Sequence, residues 1–388
     1  MGNGKVPTYV LDARMAHDHF PGIGRYVSNL ARALVPQLAA KERLVILWDP
    51  AQPSRWSLPE PATPDVVRIP VPCSPFSLQQ QWMIPKHIRR LNAHVYHSPY
   101  YLMPYLVQAP SLVTIYDLIP ELFPQHVSWR ARFLFKVTTA LALRAADRVI
   151  TISDATRRDL LRYFAIAPGR VSSTLLAPAP HFQPATSAEV ELTVRRYDLP
   201  QSYALYVGIN KPHKNLTRLV RAWHRLDQDR AIQVPSLVIA GHWDERYPQP
   251  LQLVEELSMG GLIRFVRSVS DEDLPAVYSG ATLFVFPSLY EGFGLPVVEA
   301  MSCGCPVACS DTSSLPEIAG DAALLFDATS VESMVEAIKN VLQDEMLRRE
   351  LAERGKRRAA QFSWERTAGE TLAIYRAMAE AERNSRAA

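Results

Sequence analysis

Residues 284–307 read FVFPSLYEGFGLPVVEAMSCGCPV. An apolar run stops at Pro287, a loop follows, and Leu295 opens a helix whose first turn accommodates Pro296. Gly292 and Gly294 flank Phe293, so the backbone ahead of that helix can approach a ligand closely and turn its amides toward it. That arrangement holds phosphate at a helix N-terminus. Glu291 stands at the loop entrance and Glu299 about one turn into the helix, so both carboxylates can face one ligand running along the segment. The plainer alternative makes both glycines turn residues and Glu299 a solvated helix residue.

A second segment of similar design lies upstream. Residues 203–223, YALYVGINKPHKNLTRLVRAW, read as a strand, Gly208, a polar loop containing Asn210, and a helix with Leu216, Leu219, Val220 and Trp223 on one face. Lys214 and Asn215 sit where that helix starts. A lysine there adds a full positive charge to the helix dipole, a combination suited to a diphosphate, although a solvated lysine beside a capping asparagine is the commoner fate of such a pair. Near the N-terminus, residues 12–34 (DARMAHDHFPGIGRYVSNLARAL) pass from a strand through Gly22-Ile23-Gly24 into a helix. The third glycine of a dinucleotide fingerprint is missing, Val27 taking its place, which disfavours a nicotinamide oxidoreductase. Arg14 and Arg25 are placed to meet an anion.

Farther out, short β-branched runs alternate with amphipathic stretches of helical period, the pattern of strand-helix units and parallel sheets. Strands are expected near 8–13, 43–48, 66–71, 93–98, 111–116 and 147–153, then near 203–208, 236–241, 262–266, 281–287, 306–310 and 322–327. This is an α/β chain with two sheets of about six strands. Its 388 residues suit two large domains. Residues 177–200 carry Pro178, Pro180, Pro184 and Pro200 with few apolar side chains, which places the connection there, with a cleft beneath it.

Apolar residues make up 48% and charged residues 21% of the chain, which excludes a disordered or fibrous protein. The opening MGNGKVPTYV lacks a basic-then-apolar leader and no apolar run is long enough to span a bilayer, so a cytoplasmic protein is expected. Cys73, Cys303, Cys305 and Cys309 draw neither a disulfide framework nor paired zinc knuckles and read as reduced core residues. No metal site is assigned. Residues 1–180 hold 20 Lys/Arg against 11 Asp/Glu, or +9, whereas residues 181–388 hold 22 against 28, or −6. The overall +3 is too mild for nucleic acid, yet the basic first half suits an anionic partner such as a phospholipid surface.

Asp227-Gln228-Asp229 and Asp271-Glu272-Asp273 resemble metal-holding carboxylate pairs. The first lies late in an amphipathic helix and the second follows Ser270, a natural cap, so both read as structural. No G-x-S-x-G elbow or ordered serine-histidine-acid set supports a hydrolase. Residues 78–91 and 129–148 mix aromatic and basic side chains at helical spacing, including Trp82, Lys86, Arg89, Arg90, Trp129, Arg130, Arg132 and Lys136. Ordinary packing or contact with an anionic membrane would each explain them.

Together, EGFGLPVVEAM, VGINKPHKN, FVFPS, SDEDLPAVY and DTSSLPEIAGDAALLFD resemble the donor half of retaining GT-B glycosyltransferases of family 4. The resemblance continues through GIGRYVSNLARAL, TIYDLIPELFP and RVITISDATRRDLL to cover almost the whole chain, particularly as in bacterial mannosyltransferases. It implies two Rossmann-like domains facing across a cleft: an acceptor domain of residues 1–180 completed by a closing helix at 364–388, and a donor domain of residues 181–363. It further implies that Glu291 holds hydroxyls of the transferred sugar, Glu299 the ribose and Lys214 the diphosphate. The backbone of Gly292, Phe293, Gly294, Leu295 and Pro296 would take the distal phosphate and sugar, with Arg267 and Val269 bracketing the base. Gly22, Gly24, Gly208, Asn210 and Asn215 complete the donor set, Tyr116 and Asp117 join Glu291 and Lys214 as catalytic candidates, and Ser153 opens the last helix of the first half.

Two departures stand out. Ile209 occupies the place where many relatives carry arginine after the glycine, which shifts the diphosphate onto Lys214 with Lys211 or His213. Tyr116 stands where the family usually has histidine before the aspartate, and tyrosine can donate a hydrogen bond but is no base near neutral pH. The expected reaction is metal-free transfer of a hexose with retention, from GDP-mannose first, with UDP-glucose and dTDP-rhamnose behind. No cofactor is expected, and the acceptor is a glycan or lipid-linked glycan, with peripheral contact at the inner membrane face. A sugar-nucleotide-binding scaffold that has lost catalysis is the alternative.

Overall fold

A computed structural model of the chain describes residues 6–18, 20–52, 54–61 and 64–387. The chain divides into two compact units, Met1–Leu176 with Ser363–Ala388, and Ala177–Phe362. Each is built on one wholly parallel sheet, so every strand must be followed by a crossover, and helices cover both faces.

In the first unit the strands are β1 (Thr8–Asp12), β2 (Arg43–Trp48), β3 (Val66–Pro70), β4 (Val95–Ser98), β5 (Ser111–Ile115), β6 (Arg148–Thr151) and β7 (Val171–Ser173), ordered β3-β2-β1-β4-β5-β6-β7. Every residue of β1, TYVLD, is buried, as a central strand covered on both sides requires. β7 was not foreseen: its three residues, VSS, carry too little apolar signal to announce a strand. The helices are α1 (Pro21–Leu34), α2 (Gln80–Leu91), α3 (Ile119–Leu122), α4 (Trp129–Ala145) and α5 (Asp154–Tyr163). Ser153 caps α5 by accepting from the Thr156 N–H at 3.0 Å. One core layer joins Ile84 and Ile88 of α2, Phe135 and Leu143 of α4, and Leu160 of α5 to Val10, Tyr96, Val113 and Val149 of the sheet. α2, α4 and α5 therefore share one face of the sheet.

In the second unit β8 (Tyr203–Val207), β9 (Ser236–Ala240), β10 (Ile263–Val266), β11 (Leu283–Phe286), β12 (Val307–Ser310) and β13 (Leu324–Phe326) are ordered β10-β9-β8-β11-β12-β13. Its helices are α6 (Ser187–Arg196), α7 (Leu216–Asp227), α8 (Gln249–Glu256), α9 (Leu274–Ser279), α10 (Leu295–Ser302), α11 (Leu315–Ala319), α12 (Val331–Gln343) and α13 (Glu345–Ala359). The stretch 177–200, read as a bare connection, contains α6. A capping box between Thr186 and Glu189 starts that helix despite the surrounding prolines.

The closing helix α14 (Trp364–Ala387) packs against α1 in the first unit. Its Tyr375 hydroxyl lies 2.7 Å from His97 Nδ1, Arg376 pairs with Glu42 at 2.7 Å, and Thr367 donates to the Leu175 carbonyl. His97, fully buried in β4, meets Thr114 Oγ1 at 2.8 Å on its other nitrogen, and burial pushes it down to about 3.

Candidate functional site

In each sheet the order reverses beside the first strand of the unit, between β1 and β4 and between β8 and β11. Loops at the carboxyl ends of strands flanking such a reversal form the natural ligand crevice of an open parallel sheet. In the second unit those loops are 208–215 after β8 and 287–294 after β11.

Gly208 and Gly241 let the loop after β8 pack closely on the loop after β9. Gly241 has φ of +133°, and a Cβ there would lie 2.5 Å from the Gly208 carbonyl oxygen. Pro212–Lys214 form a single tight turn, and Asn215 then takes the left-handed conformation at φ +63° before α7 begins. This turn sends the Lys214 side chain to Glu291. Its ammonium donates to both carboxylate oxygens at 2.6 and 2.8 Å, and it lies 5.7 Å from the centre of the Phe286 ring. Both side chains are largely shielded from water, which strengthens the attraction.

The glycine-flanked loop is lashed from the side by residues 312–314. The Glu291 N–H donates to Ser313 Oγ at 2.8 Å and Ser313 Oγ donates back to the Glu291 carbonyl at 2.6 Å. Ser314 Oγ reaches the carbonyls of Glu291 and Phe293 at 3.0 and 2.7 Å, and Thr312 reaches those of Ser288 and Leu289. Gly294 caps α10 with φ +104°, and a Cβ on it would meet Leu315 Cδ2 at 2.6 Å. α10 starts with Pro296 in its first turn, and its N-cap residue, Gly294, supplies no side-chain cap, so the positive end of its dipole is not offset by a capping side chain of that residue.

Some residues expected at the donor site make bonds within the chain. Asn215 is buried, donating to the Pro287 and Ala328 carbonyls at 3.0 and 2.8 Å and accepting from Arg218. Asn210 donates to the carbonyls of Asp244 and Tyr247 and accepts the Asp244 N–H, pinning the loop after β9. Phe293 turns inward, edge-on to Phe362 at 5.8 Å, which leaves only its backbone for a ligand. Glu299 is buried and accepts from the Tyr278 hydroxyl at 3.2 Å, so it is not the solvated helix residue of the plainer reading. Arg267 lies exposed after β10, paired with Glu245 at 3.2 Å, and Val269 is half-buried nearby.

The remaining candidates belong to the first unit. Gly22 and Gly24 fall inside the first turns of α1 and not in a loop before it: Pro21 already opens the helix, and the Gly24 N–H is bonded to the Phe20 carbonyl at 2.9 Å. Trp56 lies against Gly24 so closely that a Cβ would sit 2.2 Å from its ring. Arg14, expected to meet an anion, is buried and committed to Asp12 at 2.8 and 2.6 Å and to the Cys73 carbonyl, while the Tyr96 hydroxyl donates to the same Asp12. Asp117 accepts the Ile119 N–H at the start of α3. The Tyr116 hydroxyl is buried without a hydrogen-bond partner among the described residues, edge-on to Tyr26 at 5.5 Å. Burial, and then Tyr26, holds it well above the ordinary tyrosine range, so it stays protonated.

The two Asp-x-Asp strings are structural. Asp229 binds Lys339 at 2.5 Å, and Asp273 is held by Arg196, Tyr197 and Ser270. All four cysteines are buried and reduced, and burial pushes Cys303 and Cys309 up to about 12. The lashing serines were missed because a Ser/Thr cluster reads locally as a loop, and nothing in its spacing says which distant carbonyl it will reach.

The chain matches known proteins along its length. Residues 194–358 match the family described as glycosyl transferases group 1, and residues 21–173 match glycosyltransferase family 4. It is 36% identical over 300 residues to the O-antigen chain mannosyltransferase B of Escherichia coli, covering 77% of both chains. It is 33% identical over 258 residues to the serotype-specific mannosyltransferase WbdA of Escherichia coli, spanning 65% of this chain but only 32% of that longer one. Sucrose-phosphate synthase from Thermosynechococcus elongatus shares the fold at a TM-score of 0.77 and 22% identity, over 97% of this chain and all of that one. WaaG, a glycosyltransferase involved in lipopolysaccharide biosynthesis, does so at a TM-score of 0.69 and 16% identity, over 95% and 99%. The fold is therefore GT-B, and the chain belongs to the group 1, family 4 glycosyltransferases.

Proposed function

We propose that this glycosyltransferase moves mannose from GDP-mannose, with retention and without a metal ion, to a glycan or lipid-linked glycan on the cytoplasmic side of a membrane. Mannose is favoured because the curated relatives named above are mannosyltransferases. The observation that carries the reading is the Lys214 ammonium held on Glu291 beside the uncapped start of α10.

When the bond between the anomeric carbon and the donor phosphate breaks, negative charge grows on the departing diphosphate. Lys214 and the backbone of Gly292 to Pro296 supply fixed positive ends there, which lowers the barrier because they are already oriented. Glu291, released from Lys214 by the incoming phosphate, accepts hydroxyls of the sugar, and Glu299 takes the ribose. Arg267 and Val269 flank the base, and Gly208 lets the loop after β8 approach the donor. Asn210 and Asn215 serve the site by positioning its loops. The acceptor oxygen attacks on the face the phosphate leaves, passing its proton to that phosphate, so that one C–O bond forms as another breaks and configuration is kept. Tyr116 contributes a hydrogen bond from its protonated hydroxyl and not a base, with Asp117 beside it.

A thermal-shift panel of nucleotide diphosphates and their sugars, with and without EDTA, tests base, sugar and metal need together. GDP-mannose should give the largest shift, unaltered by EDTA, and the product should show a retained anomeric configuration by NMR. A metal-dependent shift, or a glycosyl-enzyme adduct trapped by mass spectrometry, would overturn the mechanism.

A further inference from the structure

At the carboxyl ends of the first sheet the loops present aromatic rings in a row. Phe20, after β1, lies 5.7 Å from Phe76, after β3, and 6.0 Å from Tyr100, after β4, with ring planes inclined by only 28° and 35°. Their faces therefore turn in similar directions. Phe76 is 54% exposed, and Phe20 and Tyr100 are half-buried, so each keeps surface for a ligand. β1 and β4 flank the reversal of strand order, so Phe20 and Tyr100 stand at the mouth of the crevice that such a sheet offers. Tyr100 also neighbours Tyr116, which puts it at the inner end of the row and Phe76 at the outer end. Hydrogen bonds hold these segments in place: Ser98 Oγ donates to the Tyr100 carbonyl at 2.7 Å, the Tyr100 hydroxyl to that of Tyr101 at 2.9 Å, and the Phe76 N–H to Ser74 Oγ at 3.2 Å. Rings fixed in advance lose little freedom on binding.

Charge says what kind of ligand suits them. Residues 71–79 and 99–110 contain no charged side chain. Among the described residues of the loops after β1, β3, β4 and β5, the only lysine or arginine is Arg14, and it is buried on Asp12. Asp117, next to Tyr116, adds a negative charge, and Asp18 holds Arg55 at 3.7 Å. A phosphate placed on this row would give up water and meet no uncommitted cation from those loops. A neutral pyranose fits better. Its C–H face packs on the electron-rich face of an aromatic ring, and its hydroxyls stay at the wet rim. Successive ring centres are spaced by about the width of one sugar, so the row suits linked sugars and not a single one.

We propose that Tyr100, Phe20 and Phe76 form a stacking platform for a neutral acceptor glycan of at least two pyranose rings, and that this crevice does not select phosphorylated acceptors. The inference rests on the glycosyl transfer proposed above and narrows the acceptor class of that reaction.

The test is isothermal titration of the whole protein, without donor, using methyl glycosides, disaccharides and trisaccharides of mannose, glucose and N-acetylglucosamine, together with a mannose monophosphate. At least one trisaccharide should bind about tenfold or more tighter than its methyl glycoside. The monophosphate should bind no tighter than methyl mannoside, and raising salt from about 0.05 to about 0.5 M should leave the trisaccharide affinity within about twofold. Phe76→Ala, at an exposed position, should erase most of that gain from length, and Phe76→Trp should restore it. Tyr100→Ala should weaken every neutral ligand. These titrations need no donor, so failure of the GDP-mannose assignment would show as an absent thermal shift with the titrations unaltered. Tighter binding of the monophosphate than of any neutral ligand, no gain from monosaccharide to trisaccharide, or an undiminished gain in Phe76→Ala would overturn the proposal.

Discussion

The carboxyl ends of the two sheets are built in opposite ways. In the second unit they carry opposed charges on loops tied down by side-chain-to-carbonyl bonds from Ser313, Ser314 and Asn215. In the first unit the strong charges are sealed away, Arg14 on Asp12, and the loops present rings: Phe20 against Phe76 at 5.7 Å, Phe20 near Tyr100 at 6.0 Å, and Tyr100 on Tyr101 at 4.2 Å. Stabilising a charge that appears during reaction needs dipoles that do not reorganise, and the second unit has them. Rings offer flat, adaptable contact surface instead. The same topology thus separates electrostatic work from shape reading.

The sharpest way to break this contrast is Lys214→Ala, or Glu291→Ala, each expected to lower kcat by at least about 10². A loss below threefold in steady-state transfer would remove the electrostatic role. Asn215→Ala should cost about 2–3 kcal/mol in urea unfolding, since it strands two buried carbonyls and an arginine; Asn215→Gly, which keeps the left-handed turn, should recover only part. Unchanged stability would mean the loops are held by other means.

In the first unit, pH probes the lock between β4 and α14. The folded chain keeps His97 neutral while the unfolded chain takes up a proton near 6.5. Stability from this group is therefore complete above that pH and is lost as pH falls toward about 3, with a slope of about 1.4 kcal/mol per unit. His97→Gln should flatten that slope in thermal melts, and a slope that persists would place the titration elsewhere. The smallest effect concerns Tyr116→Phe. Removing a buried hydroxyl without a protein partner should raise stability by about 1 kcal/mol, while transfer falls if the substrate is what it serves. A variant neither more stable nor slower would strip Tyr116 of its proposed role.

The α/β class and all but one strand were legible, because parallel strands buried on both faces are near-continuous apolar runs. β7 escaped, as did α6 among its prolines, each being short and weakly apolar. The glycine pair at 292 and 294 and the lysine at 214 were also legible, since a tight approach and a charged helix start leave local marks. The intrachain bonds of Asn210 and Arg14 were not legible, because an amide or guanidinium looks the same in sequence whether it faces a ligand or a distant carbonyl.

By itself, then, the sequence determined two parallel-sheet units and the segments that carry charge, since periodicity and glycine placement act over a few residues. Only the tertiary structure decided that Lys214 meets Glu291, that residues 312–314 brace the loop before α10, and that the outer side of α4 stays bare. Those outcomes depend on which elements the sheet order makes neighbours, and contacts across dozens of residues have no signature in local spacing.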